Sequence, residues 1–259
     1  MTQNYVKEDN LQTAMAEYQD NMGERRTLYD QYEIELGTVT QVYNNTTGAG
    51  EQVYAVVKNP NEKAEDVQEV TVLFRGSTGP DHILNEAPDV WNDWAENDAV
   101  IAKRIVMQSN PSDRDNSTEQ LKASARALKD IMEKYPNAKI NIYGHSLGSM
   151  DAQYAMAALE ASQIERIQQA YIYNGPDIYR ILSPEQRKIV DQIKGRIYNY
   201  ADAKDNISMV GRDIAKGSIG SVGMVYYVDS EQEDFVNQHM TYGYRLDKNG
   251  KIKILSNTS

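Results

Sequence analysis

The run KINIYGHSLGSMDAQYAMAALE, residues 139–160, constrains this chain more tightly than any other stretch. An apolar strand pattern over 139–143 passes through Gly144-His145-Ser146-Leu147-Gly148 into an Ala-rich helical pattern over 149–160. This is G-x-S-x-G in the strand-turn-helix setting that gives the motif its meaning. A serine on so sharp a turn is held in strained backbone geometry, and only small residues two positions away avoid a clash. Gly144 and Gly148 meet that demand. The helix that starts at Ser146 aims its unpaired amides and positive dipole end at the space above the hydroxyl, where an oxyanion would form. Ser146 therefore reads as a nucleophile and the amide of Leu147 as the first oxyanion donor.

The surrounding pattern sets the fold class. Residues 11–36 read as helix, because Leu11, Met15, Tyr18, Met22 and Leu28 recur at near-helical spacing among charges. GTVTQVYNN and EQVYAVVKN form a hairpin around TTGAG. From Val70 onward strands alternate with helices: VTVLF, a helix near 91–105, a helix over 118–134, KINIY, a helix over 149–160, AYIYN, a helix over 184–193, then RIYNY. Apolar segments follow at SVGMVYYV, TYGYRL and KIKIL, with Asn249 and Gly250 turning between the last two. Such alternation predicts an α/β domain with a mostly parallel sheet flanked by helices. No linker, repeat or low-complexity tract interrupts it, so residues 1–259 are expected to form one domain, with 1–37 as a helical arm.

A serine alcohol needs a base to take its proton and an acid to orient that base. The chain has three histidines. His145 lies inside the elbow, where its ring should point away from the serine and serve packing. His82 precedes the nucleophile, whereas sheets of this kind run in the order serine, acid, histidine. His239, in FVNQHMTYGY, follows at the right end and is the expected base. For the acid, Asp202 and Asp205 both lie just past the strand RIYNY. Asp177 follows an earlier strand, and Asp191 sits in mid-helix.

These segments together resemble the class 3 lipases, a branch of the α/β-hydrolase fold. The resemblance runs from about Val70 to His239 and is carried by VTVLFRGS, DWAEND, KYPNAKINIYGHSLG, YIYNGPD and DNISMVG. It departs at Ser149-Met150, where the family often has a second glycine and a small residue. The resemblance implies a second oxyanion donor at Ser77, at the end of the FRGS strand. It favours Asp205 as the acid, because Asp205-Asn206-Ile207-Ser208 matches the family pattern better than Asp202, which then reads as a turn or solvent-exposed residue. Arg75, Trp94, Asn97 and Asp98 fall in matching segments, with bracing of the oxyanion loop as their expected work.

Acyl lipids are the substrate class the resemblance implies, with activity at a membrane surface. The triad alone would serve a short-chain carboxylesterase equally, and an inert elbow would leave a lipid-binding module. Ile83 and Leu84, in STGPDHILNEAPDV, belong either to a short lid or to a plain surface connection. Ile178, Tyr179, Ile181 and Leu182, in NGPDIYRIL, either line an acyl groove or begin a core helix. The chain also resembles the lipase domain of type VII-secreted phospholipase effectors of Gram-positive bacteria. That likeness implies phospholipid substrates, a cognate accessory or immunity protein, and export by a non-Sec route, with a cytoplasmic enzyme as the alternative.

Composition narrows the rest. With 38 acidic against 27 basic residues and a formal charge of -11, a general nucleic-acid binder is not expected. The absence of cysteine excludes disulfides, thiolate catalysis and cysteine-based zinc sites. No apolar stretch is long enough for a transmembrane helix, and MTQNYVKEDN lacks the basic-then-apolar grading of a secretory signal. No carboxylate cluster has calcium-loop spacing, and the chemistry asks for no metal and no organic cofactor. The 18 tyrosines, against two phenylalanines and two tryptophans, suit half-buried sheet edges.

Overall fold

Period-two burial organises the molecule. In a computed structural model, which describes residues 9–76, 99–107, 110–212 and 220–255, eight strands form one sheet whose spatial order follows the chain. They are β1 (Thr27–Tyr29), β2 (Glu35–Asn44), β3 (Gln52–Val57), β4 (Glu69–Phe74), β5 (Lys139–His145), β6 (Ile167–Tyr173), β7 (Ile197–Ala201) and β8 (Met224–Tyr227). The first four pair antiparallel, and β4 through β8 pair parallel. The described helices are α1 (Asp9–Met15), α2 (Ala99–Met107), α3 (Glu119–Lys134), α4 (Leu147–Ala157), α5 (Ala161–Ile164), α6 (Pro184–Gln192) and α7 (Phe235–His239).

Successive strand residues point to opposite faces. Val53, Val72, Phe74, Ile140, Ile142 and Ile172 therefore face one core, which they share with Leu128, Ile131 and Met132 of α3 and with α4. The intervening residues Tyr54, Leu73, Tyr143 and Tyr173 face a second core, closed by Leu11 and Ala14 of α1 and by Leu28 and Ile252. All eleven residues of α4 are buried, as a helix wrapped by sheet and by other helices requires. The oxygen of Thr118 caps α3 by accepting from the amide of Leu121 at 3.4 Å, and the capping box at Ser183 and Gln186 starts α6.

The tyrosines ladder across the parallel strands. Tyr143, Tyr171 and Tyr198 stack with ring centroids 5.6 and 4.8 Å apart, and Tyr173, Tyr200 and Tyr226 at 5.0 and 5.5 Å.

The N-terminal arm departs from the helix expected over 11–36. Helix stops at Met15, a 3-10 turn covers Ala16–Tyr18, and Thr27–Tyr29 becomes strand β1. The left-handed backbone of Asn21 and Arg25 breaks the helical path. Leu28 then serves a strand period rather than a helical one, beside the β-branched Thr27 and the aromatic Tyr29. Of the helix expected near 91–105, residues 91–98 lie outside the described residues, and α2 covers Ala99–Met107.

Candidate active site

The candidate site forms where β5 turns into α4. Ser146 holds φ 57° and ψ −126°, the strained geometry anticipated for a serine between a strand and a helix. Two contacts explain the flanking glycines. A Cβ on Gly148 would sit 1.9 Å from the carbonyl oxygen of Phe74 at the end of β4, and one on Gly144 would sit 2.7 Å from the carbonyl oxygen of Gly148. The elbow closes only with hydrogen at both positions. Its amide is anchored too, since Ser146 N–H donates to the Tyr173 carbonyl at 3.0 Å. Leu147 is the first residue of α4, so its amide is one of those the helix leaves unpaired.

Three of the sequence-predicted residues converge. His239, the last residue of α7, places Nε2 2.7 Å from the Ser146 hydroxyl and Nδ1 2.7 Å from Oδ2 of Asp205. Asp205 also accepts from the amides of Ile207, at 3.1 Å, and Ser208, at 3.3 Å, so the carboxylate is held by its own turn. All three residues are buried. With the Asp205 carboxylate accepting from Nδ1–H, Nε2 is left as the acceptor for the serine proton.

The remaining candidates fall elsewhere. Ile178, Ile181 and Leu182 are buried in the helix-side core, with Tyr179 half-buried beside them, and Tyr179 to Ile181 form a 3-10 turn. This turn precedes α6, which starts at Pro184. Asp177 donates its backbone amide to Val210 and pairs its carboxylate with Arg212. Asp191 accepts from the Tyr179 hydroxyl. Ser77, His82, Ile83, Leu84, Trp94, Asn97 and Asp98 lie outside the described residues.

Sequence reasoning missed the scaffold behind His239. Its carbonyl accepts from His145 Nε2–H at 2.8 Å and from the Asn174 amide at 3.1 Å. His145 is therefore a tie rather than mere packing, and its Nδ1 must accept from the hydroxyl of Tyr18 at 2.7 Å. Burial, with His239 nearby, pushes the His145 ring down to about 3, which keeps it neutral in this role. Burial likewise raises Tyr18 well above the ordinary phenol range, with the Glu17 carboxyl as a further cause. Asn174 also accepts through Oδ1 from Tyr244 O–H at 2.6 Å and from the Asp202 amide at 3.2 Å.

Asp202 opens a turn, its carbonyl accepting from the Asp205 amide at 3.0 Å, but it is not solvent-exposed. It is buried and accepts from Ser230 O–H at 2.9 Å and from the side chain of Gln238, the neighbour of His239. One of the two aspartates thus faces the imidazole, and the other fastens the loop that carries it. The one sequence signal for this scaffold was the pair of polar strand ends, Asn174 and Asp202. Among the described residues no group of three or more metal-ligating side chains assembles, and no helix is long and apolar enough to cross a membrane.

A family model described as Mbeg1-like matches residues 114–258, more than half of the chain and every member of the relay. No curated protein matches. Among solved structures, a fungal lipase superposes with a TM-score of 0.51 at 16% identity, covering 95% of this chain and 83% of that one. A mutant form of MDLA from Penicillium cyclopium gives 0.48 at 16% identity over 96% and 84%, and a triacylglycerol lipase from Penicillium expansum gives 0.47 at 16% over 86% and 79%. The sheet order and the superposition on the fungal lipase together show an α/β-hydrolase fold.

Proposed function

The chain belongs to the Mbeg1-like family, and we propose that it is a serine ester hydrolase that cleaves acyl esters of lipids. The observation that carries this reading is the buried relay in which His239 lies 2.7 Å from both Ser146 and Asp205. His239 Nε2 takes the Ser146 proton as Oγ attacks the ester carbonyl. Asp205 holds the imidazole tautomer and stabilises the imidazolium. The Leu147 amide, with Ser77 as the donor implied by the family resemblance, receives the oxyanion. His239 then protonates the leaving alcohol, and the same base activates the water that releases the acid from Ser146.

A lipid substrate is supported by the lipase superposition together with the class 3 motifs. Phospholipids are the class we place first, on the sequence resemblance to exported phospholipase domains. The test is fatty-acid release from phospholipids, triglycerides and short soluble esters by the wild type and by Ser146→Ala. Loss of about 10⁶-fold in kcat on substitution is expected for a serine that acts as nucleophile. Turnover confined to short soluble esters would replace the lipid assignment with a carboxylesterase. Activity that survives in Ser146→Ala would remove the mechanism altogether.

A further inference from the structure

The relay needs its acid and its nucleophile at a fixed separation, yet they sit on different segments, one after β7 and the other after β5. A second buried polar assembly spans that gap. Arg212 and Asp177 pair at 3.4 Å with side chains 3% and 2% exposed. The guanidinium also donates from Nε to the carbonyl of Ser208 at 2.8 Å, and from Nη2 to the carbonyl of Gly175 at 2.9 Å and to Oδ1 of Asn199 at 2.7 Å. Ser208 closes the turn whose amides hold Asp205. Gly175 belongs to the segment pressed beneath the elbow, since a Cβ there would stand 2.6 Å from the Ser146 carbonyl oxygen. That segment is fixed to the nucleophile's own helix by Gln153 of α4, which donates to the Pro176 carbonyl at 2.8 Å and accepts from the Ile178 amide at 3.1 Å.

We propose that Arg212 is a positioning residue that locks the Asp205 turn to the Ser146 elbow, through the segment 175–178, and so sets the contact between Asp205 and His239. The inference rests on the ester-hydrolase reading. Only a planar fork with several fixed donors reaches Ser208, Gly175, Asn199 and Asp177 together; an ammonium group supplies a point charge. The pairing is also why Asp177 is unavailable as the acid, although it follows a strand end as Asp205 does: the guanidinium and the amides of Tyr179 and Val222 take up its oxygens.

The experiment uses the full chain with two variants. Arg212→Met alone would strand the Asp177 charge in the core, so it is combined with Asp177→Asn to remove both charges at once. Arg212→Lys keeps the charge and removes the fork. For both, we expect kcat to fall about 10- to 100-fold, the scale on which small misplacements act, while KM changes less than about threefold. In Arg212→Lys the acid limb of the kcat/KM profile should move to lower pH, because an Asp205 that has drifted from Nδ1 stabilises the imidazolium less. A purely structural brace would lower thermal stability without moving that limb. A folded double variant, or Arg212→Lys, with kcat within about twofold of wild type and an unmoved limb would overturn the proposal. If the double variant does not fold, Arg212→Lys alone decides in the same way. Labelling of Ser146 by a fluorophosphonate in the wild type separates the two levels: labelling with unaffected Arg212 variants sinks only the positioning role, whereas an unlabelled wild type sinks the hydrolase reading beneath it.

Discussion

At the scale of single residues, the site is decided by atoms that are absent as much as by those present. Gly148 lies so close to the end of β4 that one added carbon would meet the Phe74 carbonyl at 1.9 Å. A backbone atom cannot swing aside as a side chain can, so Gly148→Ala should push β4 and α4 apart. Loss of soluble protein, or a fall in Tm of more than about 8 °C, is expected from an overpacking cost of several kcal/mol. A well-folded Gly148→Ala protein with wild-type Tm would show that the elbow tolerates what its geometry forbids. Asp205→Asn probes the opposite case, in which shape is kept and chemistry lost. The amide would donate where the carboxylate accepts, and His239 would be driven to the wrong tautomer, so kcat should fall about 10⁴-fold with the thermal midpoint little changed. Asp202→Asn is the control for this assignment: a loss as large as that of Asp205→Asn would mean the two aspartates had been assigned in reverse. The proximity of both to β7 was legible in RIYNYADAKDN, and the family pattern favoured Asp205, the one that faces the imidazole of His239. That Asp202 is buried and tied to Gln238 was not legible, because its partners lie 28 and 36 positions away.

At the scale of elements, the N-terminal arm reaches the site without supplying any member of the relay. Tyr18 pins His145, and His145 pins the carbonyl of His239. Tyr18→Phe would leave Nδ1 of a buried imidazole without its donor, an expected cost of about 1–3 kcal/mol measurable by urea unfolding. Beside it, Glu17 is fully buried, and desolvation raises it well above the ordinary carboxylate range against the opposing Tyr18 hydroxyl, the backbone at His145 and the charge of Arg75. These two groups bias stability in opposite directions. Between about pH 3 and 6.5 the unfolded chain carries a proton on His145 that the folded chain lacks, so the histidine adds stability as pH rises across that window. Above 4.5 the unfolded chain has lost a proton that folded Glu17 keeps, so the acid removes stability until its raised value is passed. Above 4.5 and below 6.5, where both groups act, the slopes oppose each other. Glu17→Gln should therefore raise the urea midpoint at pH 8 while leaving it nearly unchanged at pH 4; equal midpoints for variant and wild type at pH 8 would mean that Glu17 is ionised where it sits. None of this could be read from the arm's sequence. Leu11, Met15, Tyr18 and Met22 fit a helical period well enough to carry the expected helix through residues that turn and then join the sheet, whereas the strands from β3 to β7 announced themselves by unbroken β-rich runs bounded by turn residues.

At the scale of the whole molecule, one sheet sorts its side chains into two cores by alternate positions, and the relay gathers at the ends of β5 and β7 and on α7. The fold thereby buries Ser146, Asp205 and His239, while the chain as a whole carries a formal net charge of -11. On the proposed lipid-hydrolase reading, that charge acts before any bond is broken. An anionic bilayer repels it over the Debye length, about 30 Å at 0.01 M salt and about 8 Å at 0.15 M. Fatty-acid release from vesicles of anionic phosphatidylglycerol should thus be suppressed relative to zwitterionic phosphatidylcholine at low salt, and the ratio of the two rates should rise several-fold as salt is raised across that range. Release from a neutral triglyceride emulsion should change little, because no surface potential opposes approach. The Ser146→Ala protein supplies the background for each lipid. A ratio that falls as salt is added would mean that adsorption is attractive, and would place on this acidic surface a local basic face strong enough to outweigh the net charge.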